Sequence, residues 1–190
     1  IVVTVTPGAS FKLPMGSNLL KLGYHADINN FMEYTDQNAV NHYASGELDL
    51  NWRDVTFTIY DGFAHVFERP SIEDTSRVKR DDNRAGVKAK IERERLGLEL
   101  GYELFTRDYR SDTYYEQFDR KDNLYSLMLT HQTFDKTKLL FEYNFGQIRY
   151  NESIHSDSDY HQFLVGAMGE ITTKTKATIK AGYQFREYED

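Results

Sequence analysis

Reading every second residue splits most of the chain into two unlike faces. Residues 3 to 13 set Val3, Val5, Pro7, Ala9, Phe11 and Leu13 against Thr4, Thr6, Gly8, Ser10 and Lys12, the two-residue period of a strand. The same division sets Leu20, Leu22, Tyr24, Ala26 and Ile28 against Lys21, Gly23, His25 and Asp27, and Leu48 and Leu50 against Glu47 and Asp49. Further along, Val87, Ala89 and Ile91 oppose Lys88 and Lys90, while Leu98, Leu100, Tyr102 and Leu104 oppose Glu99, Gly101 and Glu103. Near the end, Phe141, Tyr143 and Phe145 oppose Glu142, and Ile179, Ala181, Tyr183 and Phe185 oppose Lys180, Gly182 and Arg186. Three segments are less clean: Leu124, Met128, Leu164 and Met168 fall on the polar face. Asp61 and His65 fall on the apolar one, which predicts a bulge or a wet rim there.

The pattern predicts an all-β chain of about ten antiparallel strands, near 2–13, 19–32, 43–52, 55–67, 83–92, 96–107, 123–134, 138–150, 160–171 and 176–188. Short turns near 14–18, 52–54, 93–95, 135–137 and 173–175 alternate with long polar loops near 33–42, 68–82, 108–122 and 151–159. One hairpin therefore recurs about every 40 residues, and hairpin repetition is how up-and-down barrels are built. Gly-Tyr steps recur on strands leaving short turns, at Gly23-Tyr24, Gly101-Tyr102 and Gly182-Tyr183, and read as barrel curvature with the ring packed outward.

Alternation alone fits both a soluble β-sheet binding protein, with its apolar face inward, and a membrane barrel, with its apolar face toward lipid. Length separates them. Soluble strands usually run about 5 or 6 residues, whereas these run to the roughly 9 to 11 that cross a bilayer when tilted. Unequal loops and aromatics near strand ends agree with the barrel. A transmembrane up-and-down β-barrel is thus the expected fold, one domain or part of a larger barrel over residues 1–190. Its lipid face carries Leu22, Tyr24, Leu48, Leu50, Val87, Leu98, Leu100, Tyr102, Phe141, Tyr143, Ile179 and Tyr183. Its lumen face carries Lys21, Asp27, Glu47, Asp49, Lys88, Lys90, Glu99, Glu103, Glu142, Lys180 and Arg186.

Composition narrows the function classes. The chain has 190 residues, 23 Lys and Arg against 30 Asp and Glu, and a formal charge of −7, which leaves no basic stripe for nucleic acid. It has no cysteine, so disulfides, thiol catalysis and Cys-ligated zinc are absent. No stretch approaches the roughly 18 apolar residues of a spanning helix. Aromatics make up 14% of the chain, 14 Tyr and 12 Phe against one Trp, in keeping with girdles of rings at a membrane boundary.

Certain segments resemble a known family. Asn83-Arg84-Ala85-Gly86-Val87, Leu98-Glu99-Leu100-Gly101-Tyr102 followed by Arg107-Asp108-Tyr109, and Ser158-Asp159-Tyr160-His161 look like the second β-barrel porin family. So does Gly182-Tyr183-Gln184-Phe185-Arg186-Glu187-Tyr188, preceded by Lys174-Thr175-Lys176 at a turn. These are bacterial outer-membrane barrels often associated with exopolysaccharide export. The match covers residues 83 to 190; Asp135-Lys136-Thr137 and Thr173-Lys174-Thr175 lack the proline that members usually carry in short turns. The resemblance implies a bacterial outer-membrane location, membrane lipid as surroundings, polysaccharide or envelope proteins as partners, and no catalytic residues.

Candidate chemistry is sparse. His155 and His161 flank Asp157 and Asp159, a spacing able to hold a metal, though a solvated loop explains it as well. Glu99 and Glu103 share a strand face, as an acid and base pair would, or as a charged lumen wall would. No phosphate cradle, nucleophile elbow or zinc-protease motif occurs. The expectation is a non-enzymatic, cofactor-free barrel that forms or lines an aqueous passage for polysaccharide or small solutes. Its rival is a scaffold barrel filled by a plug or partner. The near balance of charge on the lumen face gives no case for ion selectivity. With short turns in the periplasm, both chain ends would lie on the outer side, so a parent barrel of 12 or more strands is expected.

Overall fold

The computed structural model describes residues 1–69, 77–110, 113–172 and 175–189. They form one antiparallel sheet: β1 (Val2–Val5), β2 (Gly8–Met15), β3 (Asn18–Phe31), β4 (Ala39–Trp52), β5 (Val55–Glu68), β6 (Val78–Arg93), β7 (Leu96–Tyr109), β8 (Arg120–Phe134), β9 (Thr137–Tyr150), β10 (Ser158–Thr172) and β11 (Thr175–Tyr188). Each strand from β3 onward pairs with the next in sequence, and β1 and β2 both pair with β3. Among the described residues no pairing joins β11 to β1 or β2, so the sheet has two free edges.

β1 and β2 are one strand interrupted at Thr6 and Pro7. Val5 opposes Ile28 and Gly8 opposes His25, which keeps a single register across the break. Pro7 has no N–H to give, yet its carbonyl still accepts from Ala26 N at 2.9 Å. Its nitrogen faces Ala26 as well, so one ladder bond is missing, and the strand is interrupted at that point.

Two-residue turns close the hairpins at 16–17, 53–54 and 94–95, each with a positive φ at its first residue: 65° at Gly16, 54° at Arg53 and 47° at Glu94. A primed turn requires that sign because its twist matches the strands it joins. Only Gly16 adopts it without steric cost. The turn expected at 173–175 includes residues 173 and 174, which lie outside the described residues.

The long loops are shorter than the sequence pattern suggests. β4 begins at Ala39, β6 at Val78 and β8 at Arg120, inside segments expected to be loops. At the starts of β6 and β8 both faces are polar, so the hydropathy alternation disappears while the ladder continues. Nor is there a bulge at Asp61 or His65: β5 runs without a register shift against β4 and β6. Those two side chains instead meet polar partners on neighbouring strands, Asn83 Nδ2 donating to Asp61 at 2.9 Å and His65 Nδ1 lying 2.5 Å from Asp81. The register shifts fall at 132–134 on β8 and 170–172 on β10, beside short turns.

Candidate functional site: the charged face of the sheet

The ladder assigns every residue to a face. Leu98 sits opposite Ile91 and Leu129, while its neighbour Glu99 sits opposite Lys90 and Met128. Followed from strand to strand, one face carries Lys21, Asp27, Glu47, Asp49, Lys88, Lys90, Glu99, Glu103, Glu142, Lys180 and Arg186 together. The other carries Leu22, Tyr24, Leu48, Leu50, Val87, Leu98, Leu100, Tyr102, Phe141, Tyr143, Ile179 and Tyr183. Leu124, Met128, Leu164 and Met168 lie on the charged face, as the pattern had them.

Exposure is inverted relative to a soluble sheet. On β9, Leu139 is 49% exposed and Phe141 36%, whereas Leu140 and Asn144, pointing the other way, are 5% and 9%. Val165, Ile179 and Tyr183 reach 59%, 75% and 69%. A sandwich would cover such a face with a second sheet. Among the described residues nothing packs on it, and none has a fully buried side chain.

Two further features mark the apolar face as a membrane surface. On β7 it runs from Leu96 to Leu104, about 26 Å along the strand at roughly 3.3 Å per residue. At a tilt near 45° this is about 19 Å of height, comparable with the roughly 25 Å apolar band of a barrel. Near its long-loop end the rings of Tyr102, Tyr125, Phe145, His161 and Phe185 follow one another across five strands, centroids 5.1, 6.0, 4.8 and 4.9 Å apart. Beyond that row the same face turns polar, with Asn123, Gln147, Asp159 and Glu187. Hydroxyl partners hold the rings: Tyr102 donates to Asn123 at 2.8 Å, and Tyr24 and Tyr143 lie 2.8 Å from His42 Nδ1 and His161 Nδ1.

The charged face is the shielded one, as the inner face of a barrel wall is, and its ion pairs reach across intervening strands. Lys138 lies 3.2 Å from Glu92 although β7 and β8 separate their strands. Lys180 likewise reaches Glu142 across β10 at 2.6 Å. Lys21 binds Glu47 and Asp49 at 2.5 and 3.0 Å, and Thr58 donates to Asp49 at 2.8 Å.

Two tyrosines lean over glycines on this face. Tyr60 lies over Gly86 and donates to Glu103 at 2.7 Å; Tyr160 lies over Gly146. A side chain at either glycine would meet the ring, so glycine admits the ring close to the backbone, an aromatic rescue of the glycine. The glycines of the Gly-Tyr steps have a different role: Gly23 faces Ser45 and Gly101 faces Ser126, while their tyrosines point to the opposite face.

Toward the long loops the face becomes rich in arginine. Arg107 binds Asp82 through two nitrogens at 2.8 and 3.0 Å, Arg80 reaches the same carboxylate at 3.0 Å, Arg84 binds Glu103 at 2.8 Å and Arg120 lies 3.3 Å from Asp122. Three of them surround Phe105, with guanidinium carbons 5.2, 5.3 and 5.9 Å from its centroid, and Arg186 stands 5.2 Å from the centre of Tyr160. The sequence pattern includes Glu103 and Arg186 but misses Arg107 and Arg120, which fall at loop edges. The unused signal is the two-residue spacing of opposite charges in Arg80, Asp82 and Arg84.

An aromatic roof covers part of this region. Tyr115 and Phe118, from the loop after β7 with its short helix α1 (Thr113–Glu116), pack on Val78 and Tyr109 of the charged face. His155 joins them, 4.7 Å from Phe118 and 5.1 Å from Tyr150. Asp119 fixes the loop by accepting from Tyr109 N at 2.7 Å, and burial raises its pKa despite that hydrogen bond.

The four residues with metal-ligand spacing diverge. His155 joins the roof, His161 faces the opposite side beside Tyr143, and Asp157 and Asp159 both pair with Arg149. Glu103 is engaged by Tyr60 and Arg84, while Glu99 stands opposite Lys90.

Comparison with known proteins agrees with this geometry in fold. No family model matches the chain, and neither does any curated protein. A solved structure, the outer-membrane expressed OmpT of Vibrio cholerae, superposes with a TM-score of 0.62 over 90% of this chain at 16% identity. The chain has the fold of an outer-membrane β-barrel. It spans about half the length of that structure, 54%.

Proposed function

We propose that the chain forms the wall of a porin-like aqueous passage in a bacterial outer membrane, for polysaccharide or small solutes. The observation that carries this reading is the inverted exposure: an apolar face open to its surroundings, and a charged, glycine-bearing face that is shielded. A charged inner wall hydrates a path, while the apolar face meets lipid without exposing polar backbone. The resemblance to the second β-barrel porin family, with its tie to exopolysaccharide export, supports the choice of solute. The mechanism is passive, and no group on the charged face is assigned a catalytic role.

The roof of Tyr109, Tyr115, Phe118 and His155 favours a second reading, a scaffold barrel whose mouth is closed by its own loops. Conductance separates the two. The full-length protein reconstituted in planar bilayers is expected to give discrete current steps. A folded, heat-modifiable barrel that gives none supports the scaffold.

A further inference from the structure

From β6 to β11, the charged face near the long loops holds five guanidiniums, Arg80, Arg84, Arg107, Arg120 and Arg186, against three carboxylates, Asp82, Glu103 and Asp122. The excess is two positive charges. Toward the short turns the same face carries lysines instead: Lys90 and Lys138 share Glu92, Lys180 pairs with Glu142 and Lys176 with Glu170. On this face guanidiniums therefore gather at the long-loop end of β6 to β11 and ammoniums at the other.

Arg107 gives two nitrogens to Asp82, but Arg84 and Arg186 keep donors for a further anion. Arg84 keeps 58% of its side chain exposed while holding Glu103 through a single nitrogen. Arg186 has no ion-pair partner among the described residues; it lies over Tyr160 and within electrostatic reach of Asp122. Arg120 Nε and Asp122 Oδ1 are buried without a hydrogen-bond partner among the described residues. Phe105, with three guanidinium carbons within 6 Å of its centroid, holds those charges closer together than their mutual repulsion favours. Such an arrangement gains from an added anion, and the planar guanidinium fork matches an oxyanion in two hydrogen bonds at once.

We infer that Arg84, Arg107, Arg120 and Arg186 form an oxyanion-binding belt on the charged face, selecting solutes that carry carboxylate, sulfate or phosphate groups. This deepens the passage reading and rests on that face being turned to water. The roof lies on the long-loop side of the belt, over Tyr109 and Val78, and narrows the approach to it. Lying on one wall, the belt gives a permeating anion a favourable step between the mouth and the lysine-bearing zone below.

The test uses the full-length protein and two readouts: the reversal potential in a salt gradient across a planar bilayer, and calorimetric titration with inorganic phosphate in detergent. The wild type is expected to prefer chloride over potassium and to bind phosphate. Arg84→Gln with Arg186→Gln is expected to move the reversal potential toward the cation side and abolish the phosphate heat, whereas Lys176→Gln, the same single-charge change as Arg186→Gln but near a short turn, moves neither. If the double variant does not fold, Arg186→Gln alone carries the test, since no ion pair is lost with it. Phosphate bound equally by wild type and variants overturns the belt, as does an equal shift from Lys176→Gln. A protein that conducts nothing but loses phosphate binding in the arginine variants removes the passage and leaves the belt.

Discussion

The two faces of this sheet are made by the same strands, yet they obey opposite rules. On the apolar face, the aliphatic side chains make no directed bonds and stand open, as Val165 and Ile179 do at 59% and 75% exposure. On the charged face they form directed networks across several strands, Tyr60 to Glu103 to Arg84, or Arg80 and Arg107 on one Asp82. The difference shows which solvent each face is built for. An exposed leucine row is costly in water and costless in hydrocarbon, while a lysine needs water or a partner wherever it stands.

The most direct way to break that contrast is to exchange the chemistries. Leu98→Arg and Phe141→Arg, on the apolar face, are expected to lower folding stability in lipid vesicles by about 2 to 4 kcal/mol. Glu99→Arg, one residue from Leu98 on the same strand, is expected to change it by less than about 1 kcal/mol, the scale of a surface ion pair. Denaturant titration read by heat-modified gel mobility measures both. Cysteines at Leu98 and Ile179 should resist a water-soluble thiol reagent in membranes while those at Glu99 and Lys180 react. Equal damage from the two arginine classes would mean that neither face meets lipid.

The faces were legible in the sequence because a strand has a strict period of two, and hydropathy reports it wherever the faces differ. They were not legible where both faces are polar. Lys79, Arg80, Asp81, Asp82, Asn83 and Arg84 show no apolar alternation, so the first third of β6 reads as loop although it pairs fully with β5. The arginine belt was half hidden for that reason, with Arg107 and Arg120 at the ends of strands set too short. The roof left no local trace at all: Tyr115 and Phe118 become buried only against Val78 and Tyr109, contacts that a periodic reading does not contain. The break at Pro7 was foreseeable, since proline in a ladder points to an edge.

A smaller effect sharpens the picture of the charged face, which is crowded at some glycines and open at others. A Cβ at Gly86 would stand 2.5 Å from the Tyr60 ring and 2.9 Å from the Tyr102 carbonyl oxygen, whereas at Gly62 its nearest neighbour is the Arg84 carbonyl oxygen at 3.9 Å. Gly86→Ala is therefore expected to cost about 1 to 3 kcal/mol, the usual range for overpacking. Gly62→Ala should stay within about 0.5 kcal/mol. The same denaturant titration compares them, and equal costs would show that Tyr60 does not lie over Gly86.

The smallest effect concerns the apolar residues that sit on the charged face. Met128 stands opposite Glu99 on one side and Glu142 on the other, and its neighbour along the strand, Leu129, stands opposite Leu98 and Phe141. If the charged face is wet, an amide at position 128 finds water or carboxylate partners and keeps the volume of the methionine. Met128→Gln is then expected to shift stability by less than about 0.5 kcal/mol. The same amide at position 129 faces hydrocarbon with nothing to bond, and Leu129→Gln is expected to cost about 1 to 3 kcal/mol. Two adjacent positions with the same new side chain thus measure the polarity of both faces without adding a charge to either. A cost at Met128 as large as at Leu129 would mean that the charged face is dry at this level, filled by its own side chains, and that no passage runs beside it.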